Sequence, residues 1–159
     1  MKKIIKKVIR LILSPFVFGD FLRFKPNPGN RRFSLNASDI YPCVKDKTVK
    51  TGFDRHYIYH TAWAARKVKE INPAYHTDIS SSLYFAGIVS AFTPVKFYDY
   101  RPAEILLPNL ESKSADLLSL SFADSSVNSL SCMHVVEHIG LGRYGEKMDY
   151  DGDLKAIGE

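Results

Sequence analysis

A chain of 159 residues has room for one domain, a small one for a doubly wound sheet. Its 45% hydrophobic and 25% charged residues are ordinary for a globular protein, which argues against disorder of the whole chain. The formal net charge of +5 is concentrated in the first ten residues, where Lys2, Lys3, Lys6, Lys7 and Arg10 meet no acid; the remainder is close to neutral, which argues against a nucleic-acid binder.

Residues 1–24 alternate basic and apolar groups. Ile5, Val8, Ile9 and Ile12 fall on one helical face with the lysines largely opposite, predicting a basic amphipathic helix. The apolar part after Arg10 runs about a dozen residues, short of the roughly 20 that cross a bilayer, and no clear small-residue cleavage site follows it. Such a helix either lies on an anionic membrane surface or packs on the domain and solvates its lysines. Cys43 and Cys132, far apart and in no metal-type spacing, read as reduced thiols. The expected location is therefore the cytoplasm, with peripheral membrane contact through residues 1–24 as the alternative to a purely soluble chain.

Residues 25–52 read as linker and loops, broken by Pro26, Pro28, Gly29 and Asn30. From 53 onward the pattern is that of an α/β domain reaching residue 159. Tyr57, Ile58, Thr61, Ala62, Ala65 and Val68 repeat at helical spacing, Asp54 is placed to cap that helix, and Asn72-Pro73 ends it. His56, Tyr57, Tyr59, His60 and Trp63 make it unusually aromatic, for packing or for closing over a ligand. A short strand ending at Asp78 or Ile79, the turn Ser80-Ser81-Ser82, a helix from Leu83 to Phe92, and a second strand ending at Asp99 follow. Leu106–Leu110 reads as a connection, Ala115–Leu118 as a third short apolar element, and Leu130–Ile139 as a fourth, buried strand. This alternation predicts right-handed crossovers and a parallel sheet of about four strands with flanking helices.

Chemistry-bearing residues gather at the expected strand ends, where open α/β sheets bind ligands. Asp78, Asp99 and Asp116 stand at or near the ends of successive strands. Asp99 follows the small-residue turn by about the 20 residues that separate turn and ribose-binding acid in dinucleotide folds. His134, Glu137 and His138 arrive where the last strand should finish, before Gly140, Gly142 and Gly145. Serine at position 80 is poorer than glycine wherever φ must be positive.

The series Asp78-Ile79-Ser80-Ser81-Ser82, Tyr98-Asp99-Tyr100-Arg101-Pro102, Ala115-Asp116-Leu117, Phe122-Ala123-Asp124-Ser125-Ser126 and Cys132-Met133-His134-Val135-Val136-Glu137-His138 resembles class I S-adenosylmethionine-dependent methyltransferases. More narrowly, the run His138-Ile139-Gly140-Leu141-Gly142-Arg143-Tyr144-Gly145 resembles an uncharacterised bacterial family related to them. The resemblance covers roughly residues 53–159 and implies an incomplete Rossmann-like α/β fold with S-adenosyl-L-methionine as cofactor. By that resemblance Asp78 and Ser80, Ser81 and Ser82 edge the methionine-moiety site, Asp99 accepts the ribose hydroxyls, and Asp116 and Leu117 lie by the adenine. By the same resemblance His134, Glu137 and His138 face the substrate side. Read from the residues alone, Arg143 and Tyr144 either bind an anionic or sugar-like acceptor, a small molecule or glycan, or are surface side chains. The family usually has glycine where Ser80 stands, and it continues past the position of Glu159 through a helix and roughly three more strands. The chain thus reads as a truncated copy whose open sheet edge invites self-association.

Methyl transfer from a sulfonium needs proximity, alignment and, for a hydroxyl acceptor, a base; His134 or His138 is the expected base, since imidazoles exchange protons near neutral pH. Two other motifs compete. His134-Val135-Val136-Glu137-His138 matches the H-x-x-E-H zinc pattern, which needs both imidazoles on one helix face; β-branched residues before it and glycines after it disfavour a helix, and no metal is assigned. Gly140–Gly145 matches G-x-G-x-x-G but reads better as a substrate-side loop. Asp149–Asp153 lacks the full calcium loop and reads as the cap of a helix near Leu154. The expected function is a methyltransferase-like protein of undetermined acceptor; the alternative is a noncatalytic remnant or membrane-peripheral binding module.

Overall fold

The structure is a computed structural model and describes Pro15, residues 19–24, Asn36, Cys43, Asp46 and residues 48–159. The chain forms two compact units, Met1–Gly52 and Phe53–Glu159. In the first, residues 19–23 are helical; most of the expected basic helix and of the linker lies outside the described residues. Among the described residues no helix is long and apolar enough to cross a membrane.

The second unit contains α1 (Arg55–Ile71), β1 (His76–Ile79), α2 (Leu83–Val89), β2 (Val95–Asp99), β3 (Leu110–Ser114), β4 (Leu130–Ser131), a 3-10 turn (Val136–His138) and α3 (Gly152–Gly158). Its four strands are all parallel in the order β3-β2-β1-β4, the incomplete Rossmann-like α/β fold that the sequence predicts. The chain leaves β1 toward β2 on one side, while β4 pairs on the other. Loops that diverge from neighbouring strand ends open a crevice there.

Local chemistry sets α1's limits. The Asp54 carboxylate accepts the Tyr57 N–H at 3.0 Å, and Asn72, left-handed at φ 49, returns its N–H to the Val68 carbonyl at 2.9 Å. Of the expected apolar stripe only Val68 is buried, beside Ala64, while Tyr57 and Ile58 stay about half exposed. The C-terminal half of α1 packs on the sheet; its aromatic N-terminal half overhangs the rim. One core joins Ala64 and Val68 to Phe85, Ala86 and Val89 of α2 and to Val95, Phe97 and Leu110 of the sheet. The opposite face is covered by a smaller cluster of Ile79, Leu117, Val135 and Ala156. With both faces covered, every residue of β1 is buried.

Three expected boundaries move. The third strand is Leu110–Ser114, not Ala115–Leu118. Only Leu110 of it is buried, and Glu111 and Lys113 pair at 2.8 Å on its solvent face, as suits a charged edge strand. Asp116 to Ser119 forms a turn that drops Leu117 into the second core. The fourth strand ends at Ser131 instead of Ile139, because the Met133 N–H is taken by Ser81 Oγ at 2.9 Å and His134 turns to φ 60. Helix α2 stops at Val89, after which turn hydrogen bonds carry the chain to Thr93. At α3 the expected cap is partial: Asp151 holds the N-cap position without a side-chain bond, and Asp149 instead accepts from the Asp151 N–H and Lys155 Nζ.

Candidate functional site at the strand switch point

The carboxyl ends of β1, β2 and β3 and the loop after β4 surround a cavity of about 170 Å³. Ser80, Asp99, Asp116, Leu117, His134, His138 and Tyr144 all line it, together with Tyr100, Arg101 and Glu146. Asp99 ends β2; its Oδ1 accepts the Arg101 N–H at 2.8 Å, and its backbone carbonyl accepts the Ala115 N–H at 3.1 Å. Asp116 Oδ1 accepts the Leu118 N–H at 2.9 Å, a self-closed turn that fixes the carboxylate just past β3. Ser80 adopts φ 53, the left-handed geometry that favours glycine, with its N–H on the Tyr98 carbonyl at 2.7 Å.

Asp78, Ser81 and Ser82 do not line the cavity. Asp78 is wholly buried below it. Its Oδ1 accepts the Ser81 N–H at 3.0 Å and its Oδ2 accepts the Ser131 hydroxyl. His76 continues this network, with Nε2 at 2.9 Å from Ser131 Oγ and Nδ1 at 2.8 Å from Ser129 Oγ. Asp78 and Ser81 therefore tie β1 to β4 from within, and Ser82 starts α2 from its backbone. Asp78 and Ser81 thus lie below the expected ligand edge and are engaged in internal hydrogen bonds, whereas Ser82 is half-buried and makes no side-chain cap bond.

Beyond β4, the H-x-x-E-H letters form only a 3-10 turn. His134 Nδ1 lies 3.2 Å from Glu137 Oε1, whereas His138 Nε2 faces Arg143 Nη1 at 3.4 Å. The Glu137 carboxyl is held below the usual carboxylate range, first by its own backbone N–H and then by the His134 ring and the His138 charge. Glu137 and Arg143 thus flank the cavity through the two histidines. The Tyr144 ring is stacked by two guanidinium groups, Arg101 at 4.5 Å and Arg143 at 5.1 Å from its centroid. Glu146 accepts the Arg143 and Tyr144 N–H groups at 3.1 and 2.8 Å, pinning that loop.

Within the glycine run Gly140 is a packing element, whereas Gly145 faces open space. Gly140, Gly142 and Gly145 have φ of 83, 67 and 93. A Cβ at Gly140 would lie 2.1 Å from the Asp149 carbonyl oxygen, and one at Gly152 would lie 2.9 Å from the Gly140 Cα. The loop and the start of α3 touch backbone to backbone, which accounts for glycine there without a phosphate.

Sequence reading overlooked Arg101 and Glu146, for which no pattern exists, and the partners of His134. His56 and His60 of α1 meet His134 at the cavity rim, with ligand nitrogens of all three within 4.8 Å of one another. Their signal was available in the spacing His56-x-x-x-His60, which puts two imidazoles on one helix face.

Comparison with protein families, curated proteins and solved structures finds no match for this chain.

Proposed function

We propose that this protein binds S-adenosyl-L-methionine at the switch-point cavity and transfers its methyl group to a small-molecule or glycan acceptor. One observation carries the reading: Ser80, Asp99 and Asp116, at the ends of β1, β2 and β3, line a single cavity in strand order. In that cavity Asp99 accepts the ribose hydroxyls, Leu117 offers an apolar contact for adenine, and Asp116 stands where an exocyclic amine needs an acceptor. In the transfer, an acceptor oxygen lone pair forms the new bond to the methyl carbon. The sulfur–carbon pair returns to sulfur, neutralising the sulfonium, and the acceptor proton passes to an imidazole, His138 or His134. Alignment supplies most of the acceleration. A cytoplasmic location, with residues 1–24 on an anionic membrane surface, completes the proposal.

A second reading, a noncatalytic binding module, is favoured by one feature. Ser80 carries a side chain at a left-handed position, and its Oγ lies 3.3 Å from the Tyr98 carbonyl, inside the lining where bare backbone would approach a cofactor. Calorimetric titration of the full chain with S-adenosylhomocysteine, beside an Asp99→Ala variant, separates the two. The methyltransferase reading expects binding that the variant weakens about 10–100-fold, the value of hydrogen bonds to a charged group. A folded chain that binds no S-adenosylhomocysteine supports the binding module.

A further inference from the structure

The histidines at the cavity rim come from two elements. His56 and His60 lie four residues apart on α1 and share a face. His134 follows β4 at φ 60, a conformation that non-glycine residues adopt where the surrounding structure enforces it. The three ring centroids are 4.8 Å (His56–His60), 4.4 Å (His56–His134) and 4.7 Å (His60–His134) apart.

Their hydrogen bonds dictate where the lone pairs point. His60 Nδ1 sits 2.7 Å from the His56 carbonyl oxygen. A carbonyl only accepts, so Nδ1 carries the hydrogen and Nε2 keeps its lone pair. His134 Nδ1 sits 3.2 Å from the Glu137 carboxylate, which leaves the His134 Nε2 lone pair free by the same logic. That Nε2 meets Nε2 of His56. Among the described residues no other hydrogen bond fixes the His56 tautomer, so its Nε2 either donates its own N–H to the His134 lone pair or, with the hydrogen on Nδ1, turns a second lone pair toward a metal ion. A hydrogen bond between imidazoles needs only two rings. The third imidazole, and a carboxylate behind the outer nitrogen of one of them, are the features of a histidine metal site.

We propose that His56, His60 and His134 bind one divalent transition-metal ion of the zinc class, with Glu137 as the positioning residue for the His134 ring. Three neutral imidazoles with no carboxylate among the ligands suit zinc, cobalt or nickel and not the oxygen-seeking magnesium or calcium. A shallow groove lined by Arg55, His56, Tyr59, His60 and Trp63 reaches the cluster from the solvent side, so water or a small anion has a route to the fourth position of a tetrahedral ion. Because His134 also lines the switch-point cavity, the ion borders it. Ligation consumes the His134 lone pair and leaves His138, beside Arg143, as the imidazole there that holds no metal. None of this rests on the methyltransferase reading.

The test is titration of the tag-free full chain, stripped with a chelator, by cobalt(II) followed in the visible spectrum. The expected result is one equivalent bound with the intense bands of a four-coordinate ion, displaced by zinc(II), and a zinc-dependent rise in melting temperature. His56→Ala and His60→Ala each weaken binding more than about 100-fold, beyond the roughly 10–100-fold expected for the outer partner in Glu137→Gln. His138→Ala leaves it unchanged. Circular dichroism establishes that each variant is folded, and His56, being exposed, is the ligand least tied to folding. A folded chain that takes up no cobalt(II), or uptake that survives His56→Ala, overturns the proposal. Uptake lost in His138→Ala but kept in His56→Ala overturns it too, by moving the ion to the H-x-x-E-H pair.

Discussion

Asp78 carries its charge where no water reaches it. Burial pushes its carboxyl up to about 6, against hydrogen bonds from Ser131 and Ser81 that pull it down. A carboxyl that holds its proton more tightly folded than unfolded stabilises the fold in acid. That contribution is fully present below its unfolded pKa near 4 and is lost as pH rises through about 6. From acid to neutral pH the loss is at most about 3 kcal/mol. His76, in the same network, is held below the ordinary imidazole range by burial, so its neutral form opposes the trend as pH falls. The prediction is therefore a difference. In urea unfolding at pH 4 to 8, Asp78→Asn gains stability relative to the parent as pH climbs from about 4 to about 6, then levels off. A difference independent of pH means that Asp78 titrates normally. The sequence places an acid at a strand end; it does not tell how deep that end lies, which decides between ligand contact and internal brace.

At the scale of elements, the glycine loop before α3 offers a contrast between two positions with the same backbone preference. Gly140 is left-handed and its missing Cβ is filled by the Asp149 carbonyl and the Gly152 Cα, at 2.1 and 3.3 Å. Gly145 is left-handed but faces open space. Gly140→Ala is expected to destabilise by about 3 kcal/mol or more, since backbone must move as well as strain. Gly145→Ala should cost only the left-handed strain, about 1–2 kcal/mol. Paired thermal melts check this, and equal losses would mean that the contact between loop and α3 does not form. The glycine run was visible as a motif, yet its reason is a long-range contact that no local pattern encodes. Where local chemistry decides, the sequence was readable: Asp54 and Asn72-Pro73 bound α1, and the ends of β1 and β2 fall as expected. Where partners decide, it was not. The edge strand β3 is too polar to look like a strand, and the apolar letters after Ser131 belong to a turn that fills the second core. Of the candidate site, Asp99, Asp116, Leu117, His134 and His138 were legible as residues at strand ends. The depth of Asp78 and Ser81 is set by the sheet and not by local sequence, and His56 and His60 were hidden because their relation to His134 exists only in three dimensions.

At the scale of the whole molecule, charge and core divide along the chain. Residues 1–52 hold twelve basic and three acidic side chains, residues 53–159 ten basic and fourteen acidic. Among the described residues, both hydrophobic clusters lie within 53–159, from Ala64 to Ala156. A unit that contains its own cores on both faces of its sheet should fold without the preceding segment. The fragment 53–159 is accordingly expected to give a cooperative thermal transition with helical and strand circular dichroism; a featureless melt would show that residues 1–52 are needed for the fold. The same fragment tests the proposed membrane contact. Each lysine or arginine near an anionic bilayer contributes about 1 kcal/mol, within a Debye length of the surface. In the basic helix expected from the sequence, Lys2, Lys3, Lys6, Lys7 and Arg10 opposite Ile5, Val8, Ile9 and Ile12 are then predicted to hold the full chain on phosphatidylserine vesicles at low salt. The acidic fragment has neither the charge nor the apolar face and should stay in the supernatant. Sedimentation of the full chain that fades with added salt and is missing in the fragment places the contact in residues 1–52. A full chain that stays soluble at low salt returns the basic helix to its other role, packing on protein with its lysines in water.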